Sequence, residues 1–565
     1  MTNRLCGCLL ALAGLATSAA TPSARAQESA AKPLAVVALS GYDALMGDID
    51  FLGSLAGMPG ASQFVEMGLM QATQNRGLAG MDKAKPLGLI VQAGEFGSFS
   101  GMLCLPVNDL GAMLEVLAPF GVASQDAGNG MRQISANGQN VFARQQGEWT
   151  YLSIMPNMLE ELPADPGGQL AELTKEYDVA VQLHLTNIPE AFKQIALDAI
   201  SSGANETLEQ NEGESDAAFA VRKEQLTLQI EQLKRSFNEM DEVVLGVSVD
   251  GAQQRTYIDV TTTAIEGTKL AEDFALNANP QTNFSGFIQP DAAMMMSFSS
   301  KVSPADLVQV DQMLEAVRGQ MSQAIDDESD LPSEEKKDQM KSAMGDMLDA
   351  LKSTLQAGVM DGGAVMNMAP DAMTFVAGGF VSDPAKIEAG LKKLADLAAD
   401  DEDFPGVSWN AETHAGVTFH TLSAAIDEDE TEARQMLGEQ VDIAVGLGAN
   451  AVYLAVGRDC LQTAKAIIDQ SQANLGQEVA PMEMSLSLGP IINMARSVAD
   501  EEQKPQLALL DDMLQNETNG RDHMRISSTV IPRGQRARVE LEEGVLRAIG
   551  MAAMQGQMAG AGAGF

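Results

Sequence analysis

Few residues in this chain announce chemistry, and their spacing limits what that chemistry can be. The four histidines are His184, His414, His420 and His523. They form no H-E-x-x-H motif, and none joins a cysteine at zinc-finger spacing. His414 and His420 flank a predicted turn, so they could meet across a hairpin as a zinc pair, although no third ligand accompanies them. His184 and His523 fall in predicted strands, as surface or satisfied core residues. Gly446-Leu447-Gly448-Ala449-Asn450-Ala451 matches G-x-G-x-x-A after an apolar strand. A dinucleotide fingerprint needs a helix to open there, so that its N-terminus faces the pyrophosphate. AVYLAVG follows instead, with the pattern of a strand, and the run reads as a glycine hairpin. Gly97-Ser98-Phe99-Ser100-Gly101 puts phenylalanine where a nucleophile elbow needs serine. There is no Walker A loop. The 78 Asp and Glu residues are too many for an acid/base pair to be chosen by spacing. The sequence therefore assigns no catalytic, cofactor-binding or metal-ligating residue and no cofactor.

Sulfur is more plentiful, with 33 methionines. Met294-Met295-Met296, Met366/Met368 and Met482/Met484 fall in predicted strands, where residues two apart share a face. Such thioethers could bind Cu(I), line a pliable apolar-ligand surface, or fill a core. With only 4% aromatic residues, core filling is the expectation. Acidic runs at 326–338, 400–403 and 427–432 read as solvated loops, since none has the D-x-D-x-D-G spacing of a calcium loop. Cys104 and Cys460 lie beyond the leader. They could pair in an oxidising compartment, but two buried free thiols are expected.

The elements that would position these groups begin behind an export signal. Arg4 is followed by an apolar or small stretch from Leu5 to Ala20, too short to span ~30 Å of hydrocarbon comfortably. Ala24-Arg25-Ala26 is an A-x-A cleavage site, so residues 1–26 are expected to leave as a signal peptide. Cys6 and Cys8 stand too early for lipid attachment at the cut. Lys+Arg total 36 against 78 acids, a net charge of -42. Nucleic acid and anionic lipid are excluded as partners by that repulsion. No later stretch is apolar enough to span a membrane.

The remaining chain reads as written twice. GEWTYLSIMPNMLEEL aligns with ANAVYLAVGRDCLQTA, placing Tyr151-Leu152 on Tyr453-Leu454. GLIVQAGEFGSFSGMLCLPVND aligns with GGAVMNMAPDAMTFVAGGFVSD, and VQLHLTNIPEAF with SLSLGPIINMA. The match is one of pattern, in the same block order. Each half predicts a first strand (35–40; 292–299), helices (43–76; 303–357) and two strands (87–94 and 98–106; 361–368 and 372–380). A helix follows, N-capped at Asn108-Asp109 in one copy and at Ser382-Asp383-Pro384 in the other, with Pro384 in its first turn. A meander comes next, with an Asn137-Gly138 turn in the first copy. Then come a strand (178–186; 481–488), a helical stretch (188–237; 490–515) and a final strand pair (241–250 and 254–264; 521–531 and 535–542). Adjacent strand runs predict an α+β fold of two tandem similar halves, each an antiparallel sheet with helices on one face. The halves are placed at 27–280 and 281–550, with an Asn/Pro linker at 277–280 and a flexible Gly/Ala/Met tail at 551–565.

An insertion at 204–237 puts Leu226, Ile230, Leu233 and Phe237 on one helical stripe. Packing within its own domain is expected; a protein partner or self-association is the alternative. SGYDALMGDIDFLGSLAG, GLAGMDKAKPLGLIVQ, EWTYLSIMPNMLEELPADP and YDVAVQLHLTNIP resemble an uncharacterised family of exported proteins from planctomycete-type bacteria. They are also distantly similar to the domain-of-unknown-function family numbered 3352. The resemblance covers most of the first half and, more weakly, the second. It implies a bacterial secreted, periplasmic or cell-envelope setting, and it carries no catalytic residues.

The functional expectation is a non-enzymatic exported binding or scaffolding protein. A carrier of an apolar small molecule or lipid is the alternative, and a hydrolase without a familiar motif the third. A scaffold would expose an apolar patch, a carrier would enclose an apolar cavity, and an enzyme would converge polar groups in a cleft.

Overall fold

Alternating burial builds the first strand: in Pro33–Leu39 every second side chain is buried, as a sheet with one packed face requires. The computed structural model describes residues 32–562 except 94–98, 137, 161, 163–165, 207–209, 211–215, 304–306, 328–332 and 402. The expected signal peptide with Cys6 and Cys8, and Asn137 of the predicted hairpin turn, lie outside the described residues. So do Gly97 and Ser98. The chain divides into two compact units, one of residues 1–199, 240–264 and 540–565, the other of residues 200–239 and 265–539. These units do not follow the halves 27–280 and 281–550: the 204–237 insertion belongs to the second unit and the chain end to the first.

The first unit holds strands β1 (Pro33–Leu39), β2 (Leu87–Ala93), β3 (Phe99–Leu105), β4 (Ala123–Gly128), β5 (Met131–Ala136), β6 (Gln139–Gln146), β7 (Trp149–Ser153), β8 (Val179–His184), β9 (Met240–Asp250) and β10 (Arg255–Ala264). All pair antiparallel, in the order β4-β5-β6-β7-β3-β2-β1-β8-β9-β10. Tyr177 lies over Gly246 of β9, where a Cβ would come within 2.3 Å of its ring. The Tyr177 hydroxyl donates to buried Asp259 at 3.1 Å. Val36, Ile90, Cys104, Tyr151 and Leu170 share this core.

The second unit holds β11 (Met294–Lys301), β12 (Val359–Ala369), β13 (Ala372–Phe380), β14 (Ser408–His414), β15 (Val417–Ala425), β16 (Gln440–Leu447), β17 (Ala451–Gly457), β18 (Met482–Ser487) and β19 (His523–Ile531). Their order is β14-β15-β16-β17-β13-β12-β11-β18-β19, again antiparallel throughout. Strand for strand this repeats the order of β4 to β9 in the first unit. The tyrosine strands share a register as well: Cys104 faces Tyr151, and Gly378 faces Tyr453. Antiparallel sheets with segregated helices make the chain an α+β protein, as the adjacent strand runs predict.

Two expectations need correction. Helices cover both faces of the second sheet rather than one. Phe419 points into the core under helix Cys460–Ala473, while neighbouring His420 points the other way, toward helix Pro384–Ala398, and both are buried. The final segment is a helix, Glu543–Gly562, rather than a flexible tail from 551. Its alanines and methionines are strong helix formers and offset its glycines. Gly550 lets this helix close on Ala56, whose Cα would lie 3.2 Å from an added Cβ.

Candidate functional site

In the first unit, the surface that stands out is a helix hairpin. Helix α1 (Tyr42–Leu55) packs against α2 (Ala61–Ala72), and the end of α2 is tied down by polar bonds. Asp50 of α1 accepts the Ser62 backbone N–H at 2.8 Å and the Ser62 hydroxyl at 2.6 Å. This hydrogen bonding holds the Asp50 carboxyl below its usual range. Past the other end, the Thr73 hydroxyl donates to the Leu69 carbonyl and accepts the Gly77 N–H. The edge formed by Ser62, Leu69 and Thr73 is therefore the packed one.

On the rest of α2 the sequence places large apolar groups in solvent. Phe64 is 69% exposed and Met67 61%, with Val65 and Met70 beside them. Leu52 of α1 and Met58 of the connecting turn are also exposed. From the terminal helix, Ile549 and Met554 add to the exposed apolar set, and Met554 reaches to within 3.9 Å of a Cβ built on Gly57. Scattered apolar residues are ordinary on a surface, but a run of phenylalanine, valine and methionines along one short helix is not. Thioethers make such a face pliable. The charges on the two helices are Asp43, Asp48, Asp50 and Glu66; neither helix carries a lysine or arginine. Asp48 is half-buried, with Oδ2 lacking a hydrogen-bond partner, and burial, aided by the charge of Asp178, pushes its carboxyl up to about 6. Sequence reasoning did not find this face, because apolar helical spacing looks the same whether it meets a core or water.

The predicted candidates are scattered. His414 Nε2 donates to Asp469 Oδ1 of helix Cys460–Ala473 at 2.7 Å, whereas His420 lies on the opposite side of the sheet; the two are not a zinc pair. His184 sits 3.3 Å from Glu242, and His523 contacts the Pro290 carbonyl and Asp522. Gly446 to Ala451 is a hairpin turn, closed by the Gly448 N–H on the Ala451 carbonyl at 2.8 Å, and no helix opens there. Cys104 and Cys460 are free and each is buried in its own unit's core. Burial pushes their thiols up to about 12 and about 11, so neither supplies a thiolate at neutral pH.

Register places Met294 opposite Met366 and Met296 opposite Met484, so these methionines share one face of the second sheet. Met295 points into the opposite core. Helix Asp216–Glu239 contacts helix Leu307–Asp327; of its stripe, Leu226, Ile230 and Phe237 are half-buried, and Leu233 is exposed.

His420 lies on β15, the return strand of its hairpin, and its burial was not read from the sequence. It is 3% exposed. Its Nδ1 accepts the backbone N–H of Asn410 at 3.0 Å. Asn410 has φ 52° and lies where β14 loses register between Ser408 and Glu412. That bulge aims the amide at the ring, and the accepted bond fixes the ring proton on Nε2. Burial lowers the His420 pKa; Glu388 opposes the shift and Lys392 reinforces it.

Among the described residues, no helix is long and apolar enough to cross a membrane. No family model, curated protein or solved structure matches the chain.

Proposed function

We propose that this chain is an exported, non-enzymatic binding protein of the bacterial cell envelope, and that α1 and α2 hold a basic amphipathic segment of a partner polypeptide. The observation that carries the reading is the exposed apolar run of α2, set among carboxylates with no cation on either helix. An amphipathic helix would lay its apolar side on Phe64 and Met67, and its lysines or arginines would meet Asp43 and Glu66. A second copy of the chain is a poor occupant, because each copy brings a charge of -42. The leader read at residues 1–26 supports export, and the repeated strand order supports an origin by duplication.

The test is fluorescence anisotropy with a labelled Lys/Leu amphipathic peptide and its scrambled control. The amphipathic peptide should bind and the scrambled one should not. Phe64→Asp and Met67→Asp should each weaken binding by about tenfold, about 1.4 kcal/mol. Both side chains are exposed, so stability should change by no more than about 0.5 kcal/mol. Equal binding of both peptides, or no effect of either substitution, would refute the reading.

A further inference from the structure

A cavity of about 370 Å³ opens in the second unit, beside His420. The first turn of helix Pro384–Ala398 lines it with Asp383 and Glu388, and the sheet contributes Asn410, Thr418 and His420. The volume lies at the small end of the ~300–1,000 Å³ usual for ligand clefts. Because Nδ1 is occupied by the Asn410 amide, the imidazole keeps its proton on Nε2, a buried donor with no hydrogen-bond partner among the described residues. A buried donor left unpaired is costly, so this one calls for an acceptor. The carboxylate oxygen Glu388 Oε1 stands 3.9 Å away, too far for a hydrogen bond. Lys392 holds that same oxygen at 2.7 Å. The edge of Trp409 packs on the His420 ring, with centroids 4.9 Å apart, and fixes its plane.

The geometry points to a binding site for a neutral, hydroxyl-rich small molecule, a sugar or sugar alcohol, with one hydroxyl bridging His420 Nε2–H and Glu388. A single oxygen at ordinary hydrogen-bond distance from both atoms, about 2.8 Å, spans the gap at an angle of about 88°. Only a group that accepts and donates at one atom satisfies both walls. A carboxylate or phosphate accepts but would face Glu388 and Asp383. An ammonium donates and would leave Nε2–H unpaired. A metal ion would need the Nε2 lone pair, which the proton occupies. Asn410 and Thr418 offer further hydroxyl partners along the same wall.

The experiment is saturation-transfer NMR on the full chain with glucose, N-acetylglucosamine, sorbitol and myo-inositol, against acetate, inorganic phosphate and butylamine. At least one hydroxylated probe should bind and the charged probes should not. Side-chain 15N spectra should show His420 protonated at Nε2, with that resonance moving when the probe binds. Glu388→Ala, at a partly exposed helix position, should weaken the probe at least tenfold with the fold intact. His420→Phe, which keeps the ring shape, should abolish binding. Silence from all four hydroxylated probes would overturn the assignment. So would preferential binding of acetate, phosphate or butylamine, a proton on Nδ1, or undiminished binding in Glu388→Ala.

Discussion

Asp48 shows how one buried carboxylate sets a pH response. Its folded pKa of about 6 lies above the ordinary 3.8, chiefly because burial disfavours the charge and then because Asp178 repels it. Between those two values the native state keeps a proton that the unfolded chain has released. Stability therefore falls as pH rises through this window and stays reduced above it. Asp48→Asn removes the ionisation, so its melting temperature should exceed the wild type's by a few degrees at pH 7.5 and match it near pH 4. A gain that is the same at both pH values, or absent at pH 7.5, would contradict burial of the charge as the cause. His420 teaches a related lesson: its neighbours, rather than its residue type, decide that it donates.

At the scale of elements, helix Leu488–Val498 opens without a cap from its own N-cap residue, Ser487. Asp522 supplies the cap from elsewhere in the chain, accepting the Gly489 N–H at 2.6 Å and the Ser487 hydroxyl at 3.0 Å. Asp522→Ala should cost about 1–2 kcal/mol in urea denaturation, with partial recovery in Asp522→Asn, which keeps an acceptor. No loss in the alanine variant would show that water serves the helix end equally well. Local caps were legible in part: Asp109 accepts the Ala112 N–H at 2.9 Å, whereas Asp383 makes no side-chain cap bond although Pro384 opens its helix. Strand positions were legible too, because alternation survives burial on one face, as in Pro33–Leu39. Tertiary caps were not, since Ser487 and Asp522 are far apart along the chain. The bulge that turns Asn410 toward His420 leaves no mark in SWNAETH either. Phe64 and Met67 have the spacing of core residues, and only the fold shows that, among the described residues, nothing on α2's far side covers them.

For the molecule as a whole, charge dominates, and the proposed export is open to test. A net -42 stresses the folded state through self-repulsion, and salt shortens the reach of that repulsion from ~10 Å at 0.1 M to ~3 Å at 1 M. The melting temperature should climb as sodium chloride is raised over this range; a decline would mean that attractive pairs such as Arg255–Glu540 outweigh the repulsion. Expressed in a bacterium with an intact export system, the chain should leave the cytoplasm and begin at Gln27 by N-terminal sequencing. An uncut chain in the cytoplasm would contradict the leader reading.

The claim that the acid-rimmed hairpin is a docking surface is tested most directly by hydrogen exchange with the basic amphipathic peptide bound. Slowed exchange concentrated in residues 42–55 and 61–72, and lost with Phe64→Asp, is the predicted result. Protection elsewhere in the chain with these helices unchanged would contradict it.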